Sequence, residues 1–99
     1  PTLSVELLCG KSATREEARQ HLTAVHELLK AMPSSNWRAG DIKAVLMPYA
    51  DREGRGKVLW PLRVALSGLE RSADPFTVAH ILGHDETLSR INAARSILA

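Results

Sequence analysis

The sequence predicts an all-α fold, a compact bundle of about five short helices. Three observations predict it. Thr14-Arg15-Glu16-Glu17 has the form of a capping box and opens a long run whose apolar residues recur at helical spacing. Asp74-Pro75 is a second strong helix start, with an N-capping carboxylate followed by a proline at the first helical position. The one apolar run that could be a strand, residues 58–67, has no second strand to pair with, and its neighbours all read as helices. A chain of 99 residues fits a single domain with one modest core.

Taken in order, Val5 to Cys9 form a short apolar patch, and Gly10-Lys11 lead into a turn. The helix opened by Thr14 carries Ala18, Leu22, Val25, Leu28, Leu29 and Met32 on its inner face and ends at Pro33, because a residue before proline is pushed out of the helical region. Ser34-Ser35-Asn36 is a turn. A second helix is expected from Ala39 to Ala50, with Ile42, Val45, Leu46 and Tyr49 inward and Pro48 kinking or ending it. DREGRGK, residues 51–57, reads as a charged turn. Residues 58–67 then form a buried helix with Pro61 in its first turn, stopped by Gly68 in the left-handed conformation. Phe76, Val78, Ala79, Ile81 and Leu82 follow Asp74-Pro75 up to Gly83, and a last helix runs from Asp85 to Leu98.

Thirteen basic and eleven acidic residues leave a formal net charge of +2, which permits a nucleic-acid partner without indicating one. Cys9 is the only cysteine, so no internal disulfide forms, in keeping with a reducing cytoplasm. No apolar run approaches the ~20 residues that cross a bilayer, and no membrane partner is expected. Pro1 in place of an initiator Met can follow Met removal, and also fits a domain excised from a longer protein.

The motifs with chemical potential are weak. His80-Ile81-Leu82-Gly83-His84 places two histidines four apart, but Gly83 should break the helix between them and no third ligand has suitable spacing, so neither a metal site nor a catalytic role is expected. Cys9 with any of the four histidines lacks an identifiable oxyanion hole. DREGRGK lacks the spacing and preceding strand of a phosphate-binding loop. The histidines read as surface or boundary residues. Trp37, Tyr49, Trp60 and Phe76 read as core fillers. The anomaly is Arg63, alone among the charged residue types between Val58 and Leu69. An ionised group removed from water without a partner costs several kcal/mol or more. Arg63 therefore reaches solvent, pairs internally, or awaits an anionic partner.

The segment Gly56-Lys57-Val58-Leu59-Trp60-Pro61-Leu62-Arg63-Val64-Ala65-Leu66-Ser67-Gly68 resembles the G-K-x-x-x-P-L-R-x-A-L-T-G segment of bacterial glutamyl-tRNA synthetases. Asp74-Pro75-Phe76, Ile81-Leu82-Gly83 and Glu86-Thr87-Leu88-Ser89-Arg90-Ile91 resemble that family's closing helices. The resemblance is specific over residues 54–99 and looser over 14–50. It implies the all-helical C-terminal anticodon-binding cage of a class I synthetase, spanning residues 1–99 as one domain without the catalytic domain. It implies no enzymatic activity and no cofactor in this piece, a parent ligase that uses ATP and Mg, a cytoplasmic monomer, and glutamate-specific tRNA as the partner.

By matched position, the resemblance assigns anticodon contacts to Arg63 and Ser67 and to Ser72, Ala73, Asp74, Pro75 and Phe76. Lys57, at the head of the matched segment, joins them. The family often has Ser-Pro-Gly or Thr-Pro-Gly where this chain has Ser72-Ala73-Asp74-Pro75. The start of the helix at Pro75 is expected to add free amides suited to phosphates or base carbonyls. The competing expectation is a helical protein-interaction module that docks through the apolar 58–69 helix and the 84–98 helix.

Overall fold

The structure, a computed structural model, describes residues 3–10, 13–68 and 74–99. Among these residues are six α-helices and no strand: α1 (Val5–Cys9), α2 (Arg15–Lys30), α3 (Ala39–Glu53), α4 (Arg55–Ser67), α5 (Pro75–Leu82) and α6 (His84–Leu98). The capping box of α2 forms in both directions, with the Glu17 N–H donating to Thr14 Oγ1 at 3.1 Å and the Thr14 N–H to Glu17 Oε1 at 3.0 Å. Ala18, Leu22, Val25 and Leu29 of α2 are wholly buried.

α4 lies at the centre and packs against each of the other five helices. This accounts for its composition. A helix surrounded on every side needs apolar residues on nearly every side, and Val58, Pro61, Leu62, Val64, Ala65 and Leu66 are all buried. The apolar face of residues 58–66, expected to dock a partner in a protein-interaction module, is therefore spent on the protein's own core. α6 contributes Thr87, Ile91, Ala94 and Leu98 to the same core.

Three expectations need correction. The patch Val5–Cys9 is a helix, too short to register as a period. Ser4 caps it, with Oγ accepting from the Leu7 N–H at 3.1 Å, and the Trp60 indole donates to the Leu7 carbonyl at 2.8 Å. Five residues do not sustain a helix unaided; packing on α4, with Leu8 fully buried, sustains this one. Second, DREGRGK is not a turn. α3 continues to Glu53 and α4 begins at Arg55, so Gly54 alone (φ 108°) separates them. An Asp51–Arg55 ion pair bridges that glycine. Pro48 and Pro61 consequently sit inside helices. Burial of Ile42, Leu46 and Ala50 in α3, and of Val58, Leu62, Val64, Ala65 and Leu66 around Pro61 in α4, offsets the backbone bonds the prolines remove. Third, His21 and His26 are interior, at 7% and 8% exposure, rather than surface or boundary residues. His21 Nδ1 hydrogen-bonds the Tyr49 hydroxyl at 2.8 Å.

One carbonyl joins the second half of the fold. The Ala79 oxygen accepts from the Gly83 N–H at 3.0 Å, from Trp37 Nε1 at 2.8 Å and from the Thr87 hydroxyl at 3.2 Å. It thereby ties the α2–α3 connection, α5 and α6 to one point and leaves Trp37 only 8% exposed.

Candidate functional site

Arg63 and Ser67 lie one turn apart on the same face of α4. Ser67 Oγ donates to the Arg63 carbonyl at 2.8 Å. The Arg63 side chain is half-buried on the helix that every other element grips. Its Nε is sealed from solvent and has no hydrogen-bond partner among the described residues. None of the ion pairs among those residues includes it. Of the three fates open to a lone arginine in an apolar run, an internal pair with a described residue is thus absent.

α4 ends as the sequence predicts. Gly68 is left-handed (φ 74°, ψ 8°), and its N–H closes the last turn on the Val64 carbonyl at 2.7 Å. A second closure comes from α6. Arg90 Nη1 donates to the Leu66 carbonyl at 2.7 Å while its Nε donates to Glu86 at 2.8 Å. Leu3, Ala65, Leu66, Ser67, Gly68, Arg90 and Ala93 line an open groove at this end of α4. Sequence reasoning did not single out Arg90. The available signal was the Glu86-to-Arg90 spacing of four, which marks a helix-surface pair but not its reach across to α4.

The remaining assigned residues are distributed unevenly. Lys57 is exposed in the first turn of α4, about 15 Å along the axis from Ser67. It acts there on Glu17, helping to hold that carboxyl below its ordinary value, after the larger effect of the Thr14 hydrogen bonds. The fold does not bring Lys57 together with the α4 C-terminus. Ser72 and Ala73 lie outside the described residues. Pro75 and Phe76 are buried in the first turn of α5, so Phe76, at 7% exposure, offers packing rather than an open ring face.

Asp74 changes the character of the α5 start. The Thr77 N–H donates to Asp74 Oδ1 at 2.9 Å and the Thr77 hydroxyl to Oδ2 at 2.8 Å. These bonds, led by the backbone one, hold the Asp74 carboxyl below its ordinary value, and the Phe76 N–H adds to the effect. Pro75 has no N–H, and the Val78 N–H is taken by the Asp74 carbonyl at 3.2 Å. Of the expected free amides, those of Thr77 and Val78 are therefore already taken. The helix start is already neutralised by its own carboxylate and does not invite a phosphate.

The other motifs resolve into structure. His80 Nδ1 hydrogen-bonds the Trp37 carbonyl at 3.1 Å. His84 sits edge-on to the Trp37 ring at 5.0 Å and pairs with Asp85. No cluster of three or more His, Cys, Asp or Glu suited to a metal occurs among the described residues. Burial raises the Cys9 thiol above its ordinary value, the opposite of nucleophile activation. No helix among the described residues is long and apolar enough to cross a membrane.

The chain is similar to glutamate–tRNA ligase 2 of Rhodospirillum centenum, at 40% identity over 81 residues and 80% of this chain. It is 38% identical over 82 residues, 81% of the chain, to glutamate–tRNA ligase 1 of Brucella melitensis. It is 37% identical over 84 residues, 83% of the chain, to glutamate–tRNA ligase 1 of Methylobacterium radiotolerans. The alignment covers 17% of the length of each of these relatives. No solved structure matches. The family model described as the anticodon binding domain matches residues 3–95, which takes in all of α1 to α5 and most of α6, and to that family the chain belongs.

Proposed function

We propose that this chain is the anticodon-recognition module of a glutamyl-tRNA synthetase, and that it positions glutamate tRNA for ATP-dependent aminoacylation by a catalytic domain carried elsewhere in the parent ligase. The observation that carries the reading is Arg63, a half-buried guanidinium on the central helix with no partner among the described residues. Membership of the anticodon-binding family, and the names of the relatives, supply the class of partner.

Single-stranded loops are read by stacking and by hydrogen bonds to unpaired base edges. A guanidinium offers a planar donor fork for base edges and a face for stacking. Its apolar surroundings strengthen each bond it makes to RNA, and a helix gripped on all sides keeps the fork in place without cost on binding. Ser67, one turn away, is the second residue of the proposed contact. The module itself needs neither ATP nor Mg, which serve the catalytic domain. It works as a monomeric unit in the cytoplasm.

Binding of the chain to a glutamate-tRNA anticodon stem-loop, beside one with an altered middle base, tests the proposal. The cognate loop should bind more tightly, and its affinity should fall with salt in proportion to the phosphates contacted. Equal affinity for both loops, or none for either, would overturn it.

A further inference from the structure

α4 lacks something that most helices supply for themselves. Its last turn contains no basic residue, although the free carbonyls there carry partial negative charge and favour a cation. The missing cation comes from α6. Arg90 Nη1 reaches the Leu66 carbonyl, 24 residues away in sequence, in a part-buried bond of 2.7 Å. Glu86, one turn earlier on α6, takes Nε at 2.8 Å and so fixes the plane of the guanidinium. The same device appears at the end of α6, where Arg15 of α2 donates from Nε to the Leu98 carbonyl at 3.0 Å and from Nη2 to the Ala99 carbonyl at 2.9 Å.

We infer that Arg90 is a positioning residue for RNA recognition: clamped by Glu86, it caps α4 from outside and fixes the turn that presents Arg63 and Ser67. The inference rests on the recognition reading above. Arg63 and Ser67 flank the capped carbonyl of Leu66 in one helical turn, and Gly68, the residue that leaves the helix, shares a groove with Arg90. Without the cap, the Leu66 carbonyl loses a charge-assisted bond and the last turn is free to fray. The arginine fork then loses its fixed origin while the core of the fold stands. Arg90 acts here through α4, with its Nη1 held by the Leu66 carbonyl and its Nε by Glu86.

The test measures affinity of the chain for a synthetic glutamate anticodon stem-loop across a salt series, with urea melts to correct for the folded fraction. Arg90→Met keeps the stem and removes the guanidinium. It should weaken binding about tenfold, the scale of one charge-assisted hydrogen bond, and shrink the preference for the cognate middle base. The slope of affinity against salt should not change, because no phosphate contact is lost. Arg90→Lys, which returns a cation and a donor, should recover most of the loss. Glu86→Gln leaves the cap but loosens its aim, and should weaken binding about threefold, as for an exposed ion pair; it keeps the test decisive if Arg90→Met does not fold. Unchanged affinity in the folded fraction of these variants overturns the inference, as does a salt slope lower by about 1, which would place Arg90 on a phosphate. Failure of the unaltered chain to bind either loop would instead overturn the recognition reading.

Discussion

Arg63 and Gly10 show what a single residue does here, and how differently the two were legible. Arg63 stands out in the sequence as one charge in an apolar run; what the sequence does not give is whether a carboxylate waits beside it. Among the described residues none does. Arg63→Leu should therefore leave the denaturation midpoint unchanged or raised, since leucine suits the surroundings and strands no buried partner. Stem-loop binding should fall by about 1–3 kcal/mol, the scale of a specific base contact. A destabilised variant whose folded fraction binds normally would assign Arg63 to the fold. Gly10 gave no comparable signal beyond its place after an apolar patch. Its φ is 65°, and a Cβ there would lie 2.8 Å from Trp60 Nε1, the atom that donates to the Leu7 carbonyl. Gly10→Ala meets both a left-handed backbone and an occupied space. It should cost at least about 1–2 kcal/mol in urea melts and alter the fluorescence of Trp60. An unchanged midpoint would show that α1 adds nothing to stability.

At the scale of the element, caps were legible and helix junctions were not. Thr14, Gly68 and Asp74 each announce their function through side-chain chemistry acting within three or four residues, and each does as its sequence predicts. α1, the Gly54 junction and the two interior prolines depend on packing from elsewhere in the chain, which no local window contains. Asp74 marks the border: its cap was legible, but its effect on the neighbouring amides was not. Two consequences can be measured. Asp74→Ala removes the bonds to Thr77 and should cost about 1 kcal/mol, whereas Asp74→Asn, which can still accept, should cost less. Because the folded Asp74 carboxyl lies below its ordinary value of 3.8, its contribution is present above that value and lost as pH falls through the folded value. Stability should therefore decline below about pH 4 in part through this cap, and Asp74→Ala should flatten that limb. An acid limb identical in the two proteins would mean that the cap carries no weight.

The whole molecule is organised around α4, and that centrality was only half visible. The run from Val58 to Leu66 reads as buried, but that it touches every other helix is a property of the assembled fold. The α2–α6 pair on its flank carries a feature that composition hides. His26 is 8% exposed, and its Nδ1 is sealed from solvent without a hydrogen-bond partner among the described residues. Burial lowers its affinity for a proton, and the nearby charges of Arg95 and Lys30 lower it further. Glu27, whose Oε1 is 3.8 Å away, partly opposes them. His26 is thus held neutral in the folded chain below its ordinary value of 6.5. Between those two values the unfolded chain binds the proton and the folded chain does not, so stability rises with pH across this window. Conversely, it falls as pH drops from about 6.5 through the lower folded value, and levels off once His26 is protonated in both states. The contributions of the lowered Glu17 and Asp74 carboxyls change with pH only below their ordinary values of 4.5 and 3.8, and so leave the interval between pH 7 and 5 to His26. Urea melts at pH 7.5 and pH 5 should show lower stability at pH 5, and His26→Phe, which cannot take up a proton, should narrow the difference. An equal difference in both proteins would place the acid sensitivity outside the α2–α6 junction.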